Sequence, residues 1–391
     1  MKLEFSAEDA AFREELLAFL ERHCPPEARA TRDLIGSDDV DEQGVMVIPG
    51  WARRWQATLF DHGWMIPAYP PELGGRNATP TQTMAYLETL AERGVCRSML
   101  FGGYAIVAPS LLEFGNEQQK ALVPAAIRGD TVWCIGMSEP GAGSDLASLS
   151  TRAELEGDHF VVTGQKVWTS YAMVALKCFL SVRTDKDEPR HKGISLLIVD
   201  LDSPGVEVRP LRHITGQAEF AEVFFDGVRV PRENLVGELN KGWQITMGSL
   251  AHERGGLWVE GVAGCLRAVD DIIAMVKRLG LQHDTGITEK VARLYAQSRS
   301  LRALGWKGFA SFAQGSSAPE HSYMKIATSE MQQTLYELGM DLQGSRLAVT
   351  DPVLAEEGGR WQSAFFNALA ATIGGGTSEI QRNVVARQVL G

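Results

Sequence analysis

Four stretches of this 391-residue chain set hydrogen-bonding or titratable groups where chemistry could use them. The first is Met137-Ser138-Glu139-Pro140-Gly141-Ala142-Gly143-Ser144-Asp145, a tight glycine–proline loop flanked by hydroxyls. Its backbone N–H groups could come close to a ligand, although PGAG by itself also makes a plain surface turn. The second, Gly164-Gln165-Lys166-Val167-Trp168-Thr169-Ser170, follows a strand-like run. Trp168 could stack on a flat ring while the adjacent hydroxyls bond its heteroatoms, or it could be a core tryptophan at a strand end. In the third, Gly374-Gly375-Gly376 breaks one helix and Thr377 and Ser378 stand ready to cap the next. Such a helix N-terminus can receive a polar or anionic group, and it can equally be an ordinary interhelical turn. The fourth carries a carboxylate. Glu253 has Leu250 three residues before it and Leu257 four after, so it shares a helix face with apolar side chains. Buried there it could accept a proton; exposed, it would pair with a neighbouring cation.

Other chemistries find little support. No GxGxxG follows a strand, which argues against a nicotinamide-type dinucleotide fold. Cys24, Cys96, Cys134, Cys178 and Cys265 are scattered and match no metal-ligand spacing, so they are predicted to be reduced, mostly buried thiols, with no metal site. A net charge of −11 disfavours a protein that tracks nucleic-acid phosphates. No apolar run approaches the roughly 20 residues that span a bilayer. The opening residues carry acidic side chains throughout and resemble neither a secretory nor a transit signal, so the expected compartment is the cytoplasm.

The elements that must position these groups fall into three zones. Ser6 and Asp9 read as the cap of an amphipathic helix, and further helical stretches are predicted at 81–93 and 105–114. After about Thr131 come short runs rich in branched and aromatic residues, at 159–163, 177–183, 194–199, 206–211 and 221–225, separated by turn signals. Strands without intervening helices imply an antiparallel sheet or small barrel. Helical periodicity then returns at 243–279, 288–314, 320–343 and about 360–389. The expected fold is therefore mainly α with a central antiparallel β domain: an all-α domain at 1–130, a β-barrel domain at 131–236 and a helical bundle at 237–391.

Read together, the motifs resemble the acyl-CoA dehydrogenase family over nearly the whole chain. The α–β–α order matches, as do SEPGAGSDL, GQKVWTS, the DGVRVPRENLVGELNKGW run at 226–243 and the terminal GGGTSEIQRNVVARQVLG. The resemblance implies a fold ending in a four-helix bundle, bound FAD, and a CoA thioester beside it. It implies that Ile135, Met137, Ser138, Gly143 and Ser144 line the flavin, that Trp168, Thr169 and Ser170 hold its isoalloxazine ring, and that Thr377, Ser378 and Glu379 also reach FAD. Ser144, Leu250, Arg254 and Gly376 would adjoin the substrate. The implied reaction is α,β-dehydrogenation to the trans-2-enoyl-CoA, with electrons passed to an electron-transfer flavoprotein, in fatty acid or sterol side-chain β-oxidation.

Many family members place the base immediately before the final Gly-Thr-Ser, where this chain has Gly375. A subset, including isovaleryl-CoA-type and sterol-type enzymes, carries it on the first helix of the last domain, and the matching residue here is Glu253, with Glu260 in reserve. Gly255 and Gly256, just after it, hint at room for a bulky acyl group. Two family features are missing. Met275 to Gln282 holds no Arg-x-x-Phe-Gly, and Met340 to Arg346 stands where a Gln-x-x-Gly-Gly stretch is usual. Both serve the flavin across a subunit interface, so the expected assembly is a homotetramer or an α2β2 heterotetramer with a related chain. The alternatives are an acyl-CoA oxidase or flavin monooxygenase on the same fold, or a non-catalytic subunit.

Overall fold

The computed structural model describes residues 6–30, 40–188, 190–313, 320–349 and 353–390, without the side chains of 30, 249–258, 311–313, 321–322 and 388–390. The chain folds as two compact units, one of residues 1–86 and 95–253, the other of 87–94 and 254–391.

In the first unit, α1 (Ala7–His23), α2 (Pro26–Ala30), α3 (Gly50–Asp61), the first half of α4 (Pro80–Arg93), α5 (Ala108–Phe114), α6 (Glu117–Lys120) and α7 (Val123–Arg128) precede the sheet. The expected cap of α1 is present as a capping box: the Ser6 hydroxyl accepts from the Asp9 N–H while Asp9 accepts from the Ser6 N–H. The helices close over an aromatic core in which Trp64 packs on Phe12 and Tyr86, with ring centroids 5.1 and 6.2 Å apart. The helix expected at 105–114 instead begins as a π-helical turn, Gly103–Val107, before α5. Gly102 permits this turn to lie against β1, since a Cβ there would stand 3.3 Å from the Trp133 carbonyl.

Among the described residues the sheet has seven strands: β1 (Trp133–Gly136), β2 (Arg152–Glu156), β3 (His159–Ser170), β4 (Lys177–Arg183), β5 (Ile194–Asp200), β6 (Val206–Leu211) and β7 (Phe220–Pro231). They run in the order β1-β4-β2-β3-β7-β6, and β5 also pairs with β4. Pairing is mostly antiparallel, as expected, but β1 runs parallel to β4, and β2 meets β4 in parallel at Arg152–Arg183. The curled sheet encloses Phe160, Val162, Leu180, Val182, Val223 and Phe225. Cys134 and Cys178 face each other as register partners in this core, both fully buried; Cys96 and Cys265 are buried as well and Cys24 is half-buried, all as free thiols.

The second unit contains the later part of α8 (Gly242–Arg278), with α9 (Thr285–Ala313), α10 (Glu320–Gln343), α11 (Arg360–Ala371) and α12 (Ser378–Leu390). The last stretch, expected to be helical over 360–389, is two helices broken around the triple glycine. α10 is the shared partner of α9, α11 and α12. Its approach to α11 depends on Gly339, where a Cβ would lie 2.0 Å from the Trp361 ring. α8 meets α10 where the Cys265 thiol faces the Thr328 carbonyl, and it meets α11 through Asp271, which accepts from Arg360 at 2.8 Å.

Candidate functional site

The alternation of β3 sets up the site in the first unit. Phe160, Val162 and Gly164 lie on the inward parity of the strand, and Lys166 follows them inside. Continued for two more residues, that parity would bury Trp168. A bulge intervenes: Lys166 pairs with Val223 and Thr169 with Ala221, so β3 holds one residue more than β7 across the same step. Trp168 takes the left-handed backbone, with φ +59, and turns outward; it is 56% exposed and rests edge-on against Phe220. Thr169 turns in, 1% exposed, and its Oγ1 has no hydrogen-bond partner. Trp168 is thus not the core tryptophan of a strand end. An exposed indole on strained backbone, next to a buried unpartnered hydroxyl, is the arrangement of a surface awaiting a ligand.

The glycine–proline loop is fastened beside this bulge. Glu139 and Ala142 exchange both backbone hydrogen bonds across Pro140-Gly141, closing a tight turn. The Val167 N–H donates to the Ser138 carbonyl at 2.9 Å, joining the loop to the bulged strand. Ile135, Met137 and Ser138 are half-buried, while Gly143 and Ser144 are exposed. A Cβ at Gly141 or Gly143 would meet nothing within 4 Å, so the backbone there faces open space.

Two residues that sequence reasoning gave no role hold this arrangement. Lys166, with no exposed side-chain area, donates from Nζ to Glu139 Oε1 at 2.8 Å and to the Met137 carbonyl at 3.0 Å. Glu139 also accepts from the Thr151 N–H at 2.9 Å, the Ser150 N–H at 2.7 Å and the Ser150 hydroxyl at 2.8 Å. Burial by itself would raise the Glu139 carboxyl, but the Lys166 charge and the hydrogen bonds outweigh it and hold its pKa at about 2. Burial likewise is the strongest influence on Lys166 and lowers its ammonium, against the pull of Glu139. Losing one partner of a buried pair of this kind typically costs about 3–5 kcal/mol, because the other charge is left without compensation. Thr151 comes within reach because Gly164, at φ +156, carries no Cβ; one would fall 2.6 Å from the Thr151 Cα. The sequence signal was the strand parity, which places Lys166 inside; the partner 27 positions away has no periodic signature.

In the second unit, Gly375 and Gly376 adopt φ of +65 and +94, the left-handed conformation that favours glycine. Thr377 caps α12, its Oγ1 accepting from the Ile380 N–H at 3.2 Å, while its hydroxyl hydrogen-bonds the Glu379 carboxylate and, after the backbone N–H of Glu379, helps to lower that group's pKa. Ser378 is 5% exposed and its hydroxyl has no hydrogen-bond partner. Glu379 is exposed in the first turn of α12. Lys325 of α10 donates to the Gly376 carbonyl at 2.6 Å and so steadies the turn. On α8, Leu250, His252 and Glu253 belong to the first unit and Arg254 to the second, and the side chains of all four fall outside the described residues. Glu260, further along α8, is half-buried. Among the described residues no group of His, Cys, Asp or Glu could hold a metal ion, and no helix is long and apolar enough to cross a membrane.

With this geometry in hand, known proteins identify the fold. Residues 6–130, 134–228 and 240–390 match in turn the N-terminal, middle and C-terminal domains of acyl-CoA dehydrogenase. The acyl-CoA dehydrogenase IpdE1 of Mycobacterium tuberculosis is 37% identical over 343 residues, covering 87% of each chain. Among solved structures, the Tcur3481-Tcur3483 steroid ACAD superposes with a TM-score of 0.85 at 30% identity, over 100% of this chain and 99% of that one. The ChsE4-ChsE5 complex from Mycobacterium tuberculosis superposes at 0.80 with 29% identity, again over 100% and 99%.

This chain belongs to the acyl-CoA dehydrogenase family and is an oxidoreductase acting on CH–CH groups. Membership implies a flavin cofactor, and the residues present fit one. In the first unit the outward Trp168, the unpartnered Thr169 hydroxyl and the open backbone at Gly143 offer a flat ring a face and its heteroatoms hydrogen bonds. In the second, Ser378 keeps an unpartnered buried hydroxyl at a helix N-terminus.

Proposed function

We propose that this enzyme carries out the FAD-dependent α,β-dehydrogenation of a bulky, steroid-derived CoA thioester to the trans-2-enoyl-CoA. The observation that carries the reading is the β3 bulge, which turns Trp168 outward and leaves Thr169 with a buried hydroxyl to be completed. FAD, when bound, would supply the acceptor for the hydride that leaves the substrate β-carbon, with an electron-transfer flavoprotein as the onward electron acceptor. The chain does the rest. Trp168 shields one side of the ring, and Ser138, Thr169 and Ser170 orient it by hydrogen bonds. Ile135, Met137 and Gly143 fill in around it, with Ser144 shared by cofactor and thioester, while Thr377, Ser378 and Glu379 engage FAD from the α12 N-terminus. Leu250, Arg254 and Gly376 place the substrate. Glu253 takes the α-proton, a task for which a carboxylate needs a water-poor setting that raises its pKa toward working pH.

Ring-bearing substrates are favoured by the likeness to a steroid ACAD, and Gly255-Gly256 leaves the helix after Glu253 without bulky side chains. An unlike partner subunit in an α2β2 tetramer is favoured by the likeness to the two-component ChsE4-ChsE5 complex and by the missing Arg-x-x-Phe-Gly motif. A homotetramer is the alternative. The direct test of the mechanism is Glu253→Gln: flavin absorbance should be retained and its bleaching by a steroid CoA thioester lost by about 1,000-fold or more in rate. Near-normal bleaching would remove Glu253 from the role.

A further inference from the structure

The loop at 137–144 and the bulge at 167–170 are separate stretches of chain, and a single buried ion pair ties them together. Lys166 enters from β3 immediately before the bulge; Glu139 sits inside the loop; Ser150 and Thr151, which follow the loop and lead into β2, donate three hydrogen bonds to the same carboxylate. Lys166 also binds the Met137 carbonyl, and the next residue along binds the Ser138 carbonyl. One carboxylate therefore fixes the start of the loop, its exit and the strand beside it. A core filled with apolar side chains would give comparable stability without setting these three segments in register, because apolar contacts are not directional.

We infer that Glu139 and Lys166 are positioning residues for the cofactor: together they set the register of the Ile135–Ser144 loop against the Trp168–Ser170 bulge, and so the shape of the flavin-binding surface in the first unit. Neither needs to touch the flavin. The inference rests on the reading that these two stretches hold FAD.

The test compares the purified flavoprotein with Glu139→Gln/Lys166→Met, which removes both charges at nearly constant volume, and with Ser150→Ala, which removes one donor from an exposed residue. The readouts are the dissociation constant for FAD, the position and fine structure of the visible flavin band, the flavin reduction potential and the thermal midpoint. The double variant should melt within a few degrees of the parent yet bind FAD at least about tenfold more weakly, with a displaced band and potential. Ser150→Ala should move the same readouts in the same direction by about two- to fivefold in affinity, at an unchanged midpoint. Lys166→Arg, which restores the charge, should recover part of the affinity that Lys166→Met loses. Unchanged FAD affinity and spectrum in the folded double variant would overturn the inference. If the double variant does not fold, unchanged FAD affinity and spectrum in Ser150→Ala overturn it instead. A parent protein that takes up no flavin would fail the proposed function itself, a result distinct from either.

Discussion

Thr169 shows how a single side chain can be costly in the empty protein and useful in the loaded one. A buried hydroxyl without a partner costs about 1–3 kcal/mol. Thr169→Val keeps the shape and removes that cost, so the flavin-free protein should gain about 1 kcal/mol in urea unfolding while FAD affinity falls by about tenfold. Stability and affinity moving the same way would contradict the role given to Thr169. Trp168 should behave differently. Being exposed, Trp168→Ala should leave the flavin-free fold within about 0.5 kcal/mol of the parent, with the loss confined to flavin binding and its absorbance band. Part of this was readable from residue types alone: Thr169, Ser378 and the capping Thr377 all sit in motifs that stand out in the sequence. Which of the hydroxyls would be spent on a cap and which left unpartnered depends on local backbone geometry that those motifs do not encode.

Among the elements, the long helices were legible because each carries a sustained apolar period, and α1 because its cap is written in Ser6 and Asp9. β1 and β2 were not. β1 is four residues long, and β2 buries only Ala153 among charged neighbours, so neither shows enough alternation to register. The bulge in β3 was hidden for another reason: nothing in Gln165-Lys166-Val167-Trp168 marks an extra residue, and parity read straight through it puts the tryptophan on the wrong side. The packing of α10 on α11 was equally silent, since Gly339 looks like a weak point in a helix until Trp361 is seen lying over it. Gly339→Ala would gain helix propensity of about 1 kcal/mol and still lose overall by about 1–3 kcal/mol, because the added methyl meets the indole ring. Thermal unfolding should show the lower midpoint, and Trp361→Phe in the same chain should recover part of it.

For the molecule as a whole, the Glu139 carboxyl links the fold to pH. Its pKa in the folded state, about 2, lies below the value of about 4.3 that a glutamate has in an unfolded chain. Its contribution is therefore fully present above about pH 4.3 and drains away as pH falls through about 2. Urea midpoints followed from pH 6 down to 2.5 should fall for the parent, and the fall should be shallower for Glu139→Gln/Lys166→Met; parallel curves would count against the linkage. The close approach at Gly164 extends the reach of the same carboxylate. Any larger residue there must push Thr151 aside, and with it one of the donors that keeps Glu139 in place. In a screen for loss of function, a change at Gly164 would then score as cofactor deficiency, partly curable by surplus flavin in the medium. The lesion would map to a residue that contributes no side chain at all.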